Sequence, residues 1–74
     1  MAFVIKIHNA EGQPLESVSL VLLFNSTDRR LALTDHKGEV RFDHCPGVNV
    51  LITADGICKG VHQCYDGKEI LIEM

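Results

Sequence analysis

Apolar and polar residues alternate along most of this chain, and the alternation is punctuated by turn signals at intervals of roughly eight to twelve residues, the pattern of an all-β domain. In "FVIKIH", Phe3, Ile5 and Ile7 fall on one face and Val4, Lys6 and His8 on the other. "NAEG" ends this strand, Pro14 fixes an extended approach, and "VSLVLLF" (Val18 to Phe24) reads as a second strand with Val18, Leu20, Leu22 and Phe24 on one side. After "NSTD" comes a short third strand, "RRLALT"; after "DHKG", "EVRFDH" sets Val40 and Phe42 inward and Arg41 outward. A "CPG" corner leads to "VNVLITA". Asp55-Gly56 is a strong hairpin signal before "ICKGVHQCY", and Asp66-Gly67 precedes "KEILIEM". No segment sustains helical i, i+3, i+4 spacing, so no helix beyond a single turn is expected. Seven short strands must close into a sandwich or barrel, because one flat sheet would leave an apolar face wet.

Composition sharpens this picture. With 74 residues the chain is one domain, 1–74, and its core is thin, since a chain this short buries only roughly 60% of its unfolded surface. Hydrophobic residues make up 46%, but there is no Trp and only one Tyr and three Phe, so the core is aliphatic and suited to strands. A net charge of -3 with scattered Lys and Arg excludes electrostatic nucleic-acid binding as an expected role. No stretch approaches the ~20 apolar residues of a membrane span. The opening "MAFVIKIHNA" lacks a basic region ahead of an apolar block and does not read as a signal peptide. Three cysteines give no disulfide framework, which makes a reducing cytoplasm with unbridged thiols the expected setting; an excised domain of a secreted parent is the open alternative. The "NST" at Asn25 then means only a polar turn.

Over nearly its whole length the chain resembles carboxypeptidase-regulatory-like domains. "IHNAEGQPLESVSLVL" is similar to their opening strand, Gly-x-Pro-Leu connection and second strand, and "TDHKGEVRFDHCPGVNVLITADG" to their central block. Gly12, Pro14, Leu15, Thr34, Asp35, Gly38, Val40, Phe42, Pro46, Gly47 and Gly56 carry the match. The resemblance implies a seven-stranded Greek-key β-sandwich of the transthyretin-like (prealbumin-like) type, immunoglobulin-like in architecture. These are turn and core positions, so they speak for the fold and leave function open. Such domains serve as folding supports, spacers or adhesion modules. Enzymes of the transthyretin-like superfamily carry signatures this chain lacks. The Tyr-Arg-Gly-Ser ending of hydroxyisourate hydrolase has no counterpart in "ILIEM", and the Tyr and His iron ligands of intradiol dioxygenases cannot be matched with Tyr65 alone.

The chemistry-bearing residues read mostly as structure. Asp43, His44 and Cys45 are neighbours in sequence, but successive strand residues point to opposite faces, so adjacency makes no Cys/His dyad. In "CKGVHQC", an extended segment would place Cys58, Gly60, His62 and Cys64 on one face, and with Cys45 these form the rival reading of a small metal-binding protein. Against it, Cys58 and Cys64 would lie roughly 20 Å apart on a strand unless Gly60 bends the chain, and the tight Cys-x-x-Cys pairs of structural zinc sites are missing. His8 and His36 read as solvated. No phosphate loop, nucleophile elbow or paired carboxylates can be found, so no catalytic residue and no cofactor is expected.

One feature exceeds what a sandwich requires. If the larger apolar set of each strand faces the core, Val4, Val21, Leu23, Leu51 and Leu71 are left on faces that should be polar. Such a surplus is what a protein-contact surface leaves in a sequence. The expected role is therefore a non-enzymatic binding module that contacts protein, as a homo-oligomer or with a partner; a purely structural module of a larger surface or secretion-system protein is the other alternative.

Overall fold

The structure, a computed structural model, describes residues 3–25, 27–43 and 49–74. Among these residues seven strands form in the order expected: β1 (Phe3–His8), β2 (Ser19–Leu23), β3 (Arg29–Leu33), β4 (Glu39–Phe42), β5 (Asn49–Ala54), β6 (Ile57–Gln63) and β7 (Glu69–Glu73). They make two sheets, a three-stranded one ordered β4-β1-β7 and a four-stranded one ordered β3-β2-β5-β6. All neighbours are antiparallel except β1 and β7, which run parallel.

Period-two alternation explains the layering. Phe3, Ile5 and Ile7 of β1, with Val40 from β4 and Ile70 and Ile72 from β7, form the inner side of the smaller sheet. Leu20, Leu22, Val50, Ile52 and Ala54 form the inner side of the larger one, and Val18 and Phe24 flank β2 in the same core. Burying such a side chain is worth about 1.5–3 kcal/mol, and this single apolar layer is what the small domain has to offset its chain entropy. At one end the three phenylalanines gather. Phe3 stacks on Phe42 with centroids 4.9 Å apart, Phe24 meets both rings edge-on, and the Arg30 guanidinium lies 5.4 Å above Phe24.

Two of the turns are copies of one device. The Asn9 Oδ1 accepts the Glu11 and Gln13 amides, and the Asp35 Oδ1 accepts the Lys37 and Glu39 amides. In both, the N–H of the glycine three residues on (Gly12, Gly38) donates to the carbonyl of the first residue. Those two amides hold the exposed Asp35 carboxyl below its ordinary value of 3.8, because only the ionised form accepts both strongly. Gly38 is irreplaceable for a second reason. Its φ is +70°, and a Cβ there would stand 2.5 Å from the Ile7 carbonyl oxygen and 3.0 Å from the Leu15 nitrogen. The Asp55-Gly56 hairpin has positive φ at both positions, 49° and 81°, as a tight type I′ turn demands.

Candidate interaction surface

The outer sides of the two sheets differ in kind. On the three-stranded sheet, Lys6 lies opposite Glu39 and Leu71, and Val4 lies opposite Arg41 and Glu69. The Lys6 ammonium is 3.5 Å from Glu69 and 4.0 Å from Glu39, and Arg41 closes on Glu39 at 3.2 Å. The Lys6–Glu69 pair, open to water, contributes little stability, while the largely covered Glu39 carboxylate lies between Lys6 and Arg41 and keeps charge on this face.

The four-stranded sheet presents an apolar face. Its register aligns two rows across all four strands: Leu31, Val21, Thr53 and Cys58 in one, Arg29, Leu23, Leu51 and Val61 in the next. A shorter third row pairs Leu33 with Ser19. Val21, Leu23 and Leu51, at the centre, are half-buried by their neighbours alone, while Leu31, Leu33 and Val61, at the margins, are 71%, 66% and 65% exposed. A shallow, open depression bounded by Ser19, Leu31, Ala32 and Leu33 runs along β3.

The five residues singled out from the sequence therefore divide. Val21, Leu23 and Leu51 come together on the apolar face, whereas Val4, half-buried, and Leu71, 63% exposed, sit within the charged face of the other sheet. Leu31, Leu33 and Val61 extend the apolar face and were not foreseen. For Leu31 and Leu33 the face follows from register: Ala32 pairs with the buried Leu20, which turns its two leucine neighbours out. Val61 depends on an irregularity. β6 slips by one residue against β5 between the pairs Thr53/Cys58 and Leu51/Val61, a bulge at the left-handed Gly60, φ +85°.

The same bulge corrects the shared face expected for Cys58, Gly60, His62 and Cys64. Cys58 lies on the outer face beside Thr53, while His62 pairs with the inward Val50 and so lies on the opposite side. The His62 Nε2 is 2.9 Å from the Lys59 carbonyl oxygen. Cys64 is packed into the core at 4% exposure. Among the described residues no three His, Cys, Asp or Glu side chains gather as a metal site. His44, Cys45, the Pro46-Gly47 corner and Ser26 of the "NST" triplet lie outside the described residues, and Asp43 is exposed. The His8 Nδ1 is 2.9 Å from the Asn9 carbonyl oxygen, and His36 stands exposed in its turn. No helix among the described residues is long and apolar enough to cross a membrane. Compared with models of protein families and with curated protein sequences, the chain matches none.

Proposed function

We propose that this chain is a non-enzymatic β-sandwich module that works by protein–protein contact, and that the outer face of its four-stranded sheet is the contact surface. The observation that carries this reading is the pair of aligned rows in which Val21, Leu23, Leu31, Leu51 and Val61 form one apolar patch, while the other sheet's outer side is charged. We further assign the sandwich to the transthyretin-like, Greek-key type. The order β4-β1-β7 over β3-β2-β5-β6 supports that assignment, because β5 returns beside β2 after β4 has crossed to the other sheet.

The test is a double variant, Leu23→Glu with Leu51→Glu, compared with the wild type by circular dichroism, sedimentation and retention of co-purifying protein. Two carboxylates at the centre of the patch are expected to abolish association and leave the β-sheet spectrum unchanged. A wild type that neither self-associates nor retains any protein refutes the reading. Unfolding of both single variants would place these side chains in the core instead.

A further inference from the structure

Among the described residues, four strands have a neighbouring strand on one side only: β4, β7, β3 and β6. An open edge offers unpaired N–H and C=O groups to any extended chain, and folded proteins ordinarily blunt it with charge, proline, bulges or shortness. Three of the four are blunted here. β4 is four residues long, and its outer side chains Glu39 and Arg41 are tied into the Lys6 network. β6 is broken by the bulge at Gly60. β7 carries Glu69 and Glu73 on either side of Leu71, so antiparallel pairing of two copies about Leu71 would set carboxylate against carboxylate.

β3 has none of these defences along "LAL", and its open groups can be assigned. The Phe24 N–H donates to the Asp28 carbonyl at 2.9 Å, and the Thr34 N–H to the Val18 carbonyl at 3.2 Å. Antiparallel alternation between those two bonds directs the backbone groups of Arg30 and Ala32 toward β2. Those of Arg29, Leu31 and Leu33 therefore point away from the sheet, along the depression that Leu31, Ala32 and Leu33 line.

We propose that a second copy of this chain pairs with the open edge of β3, antiparallel and about a two-fold axis at Ala32, so that the two four-stranded sheets become one of eight. In this register Leu31 of each copy lies opposite Leu33 of the other, and the two pairs exchange four backbone hydrogen bonds. One step further out, the register brings Arg29 of each copy toward Asp35 of the other, which opens the turn just beyond β3, so opposite charges face each other at both ends of the contact. Asp35 is exposed, and its carboxyl is held in the ionised form by the turn. Centring the axis on Leu31 would set Arg29 against Leu33, and centring it on Leu33 would set Leu31 against Asp35, so only the Ala32 register keeps both leucine pairs. The inference rests on the protein-contact reading and deepens it, since the two outer apolar faces become continuous across the new pair. So short an edge buries less than the roughly 1,200 Å² of a standard interface, which makes the dimer weak and concentration-dependent.

Sedimentation velocity from about 5 μM to about 1 mM spans the range in which such a weak dimer forms. The wild-type sedimentation coefficient is expected to rise toward that of a dimer. Leu31→Pro removes a donor that points away from β2, so it should remain monomeric throughout with an unchanged β-sheet spectrum. Arg29→Glu, which faces Asp35 with a like charge, should weaken the dimer about tenfold. Amide hydrogen exchange on the wild type reads the register without any substitution: Leu31 and Leu33 should gain protection as concentration rises, and Arg30 and Ala32 should be protected throughout. A wild type monomeric at about 1 mM overturns the proposal, as does a dimer that leaves the Leu31 and Leu33 amides unprotected. Self-association or partner capture lost only in the Leu23→Glu/Leu51→Glu variant would leave the contact reading standing and remove β3 pairing alone.

Discussion

Thr34 is the one polar residue among the buried side chains described, at 4% exposure, and its hydroxyl adds to the backbone bonds, Thr34 N–H to the Val18 carbonyl and Ser17 N–H to the Thr34 carbonyl, that continue the β2–β3 ladder. The Oγ1 accepts the Val18 N–H at 2.9 Å and donates to the Leu15 carbonyl at 2.7 Å, pinning the β1–β2 connection to the end of β3. Thr34→Val keeps the shape and removes both bonds. Each backbone group left unpaired in a buried setting costs about 1–3 kcal/mol. The Val18 amide sits beside a side chain 5% exposed and should bear its full cost, whereas Leu15 is only half-buried and water can reach part of what its carbonyl loses. The added methyl returns up to about 0.8 kcal/mol of burial, which leaves a net loss of about 2–3 kcal/mol. In a domain of 74 residues that corresponds to a fall in Tm of roughly 10–20 °C. Urea unfolding followed by circular dichroism measures the loss directly, with Thr34→Ser as the control. Serine keeps the hydroxyl and gives up a buried methyl, about 0.8 kcal/mol. The ordering carries the test: if Thr34→Ser destabilises as much as Thr34→Val, the methyl and not the hydroxyl holds this corner, and the reasoning fails.

Two further expectations concern the turn that follows. Gly38→Ala adds a Cβ 2.5 Å from a backbone oxygen at φ +70°, and should cost about 2–4 kcal/mol by denaturant unfolding; a loss below about 0.5 kcal/mol would mean that the β1–β4 contact can open at no expense. Asp35 has its folded pKa depressed, so its contribution to stability is complete above the ordinary value of 3.8 and is lost as pH falls through the lower folded value. Thus wild type and Asp35→Asn should differ in stability at pH 6 and converge in strongly acidic solution, and NMR titration should place the Asp35 carboxyl below 3.8; a titration above that value would show the turn bonds to be absent in solution.

Much of the fold was written in the alternation itself. β1, β2, β5 and β7 each carry a large apolar side chain at every second position, so their inward faces could be assigned from spacing alone, and all of those side chains are buried. The parallel pairing of β7 with β1 has no local signature, because the pattern that turns Ile70 and Ile72 inward is the same whichever neighbour they meet. β3 was harder for a different reason. Its larger apolar residues face out and only the small Ala32 and the stem of Arg30 face in, so size points the wrong way, and only the register with the buried Leu20 and Leu22 of β2 decides the face. In β6 even parity fails, since the slip at Gly60 brings Cys58 and Val61, three residues apart, to the same outer side. The candidate site is harder still to read, because it belongs to no strand. Leu31, Val21, Leu51 and Val61 come from four strands, and register alone determines that they meet each other rather than charged neighbours such as those surrounding Leu71. A strand's sequence can thus announce a surplus apolar side chain, but only the sheet decides whether it becomes part of a surface or stands alone among ions.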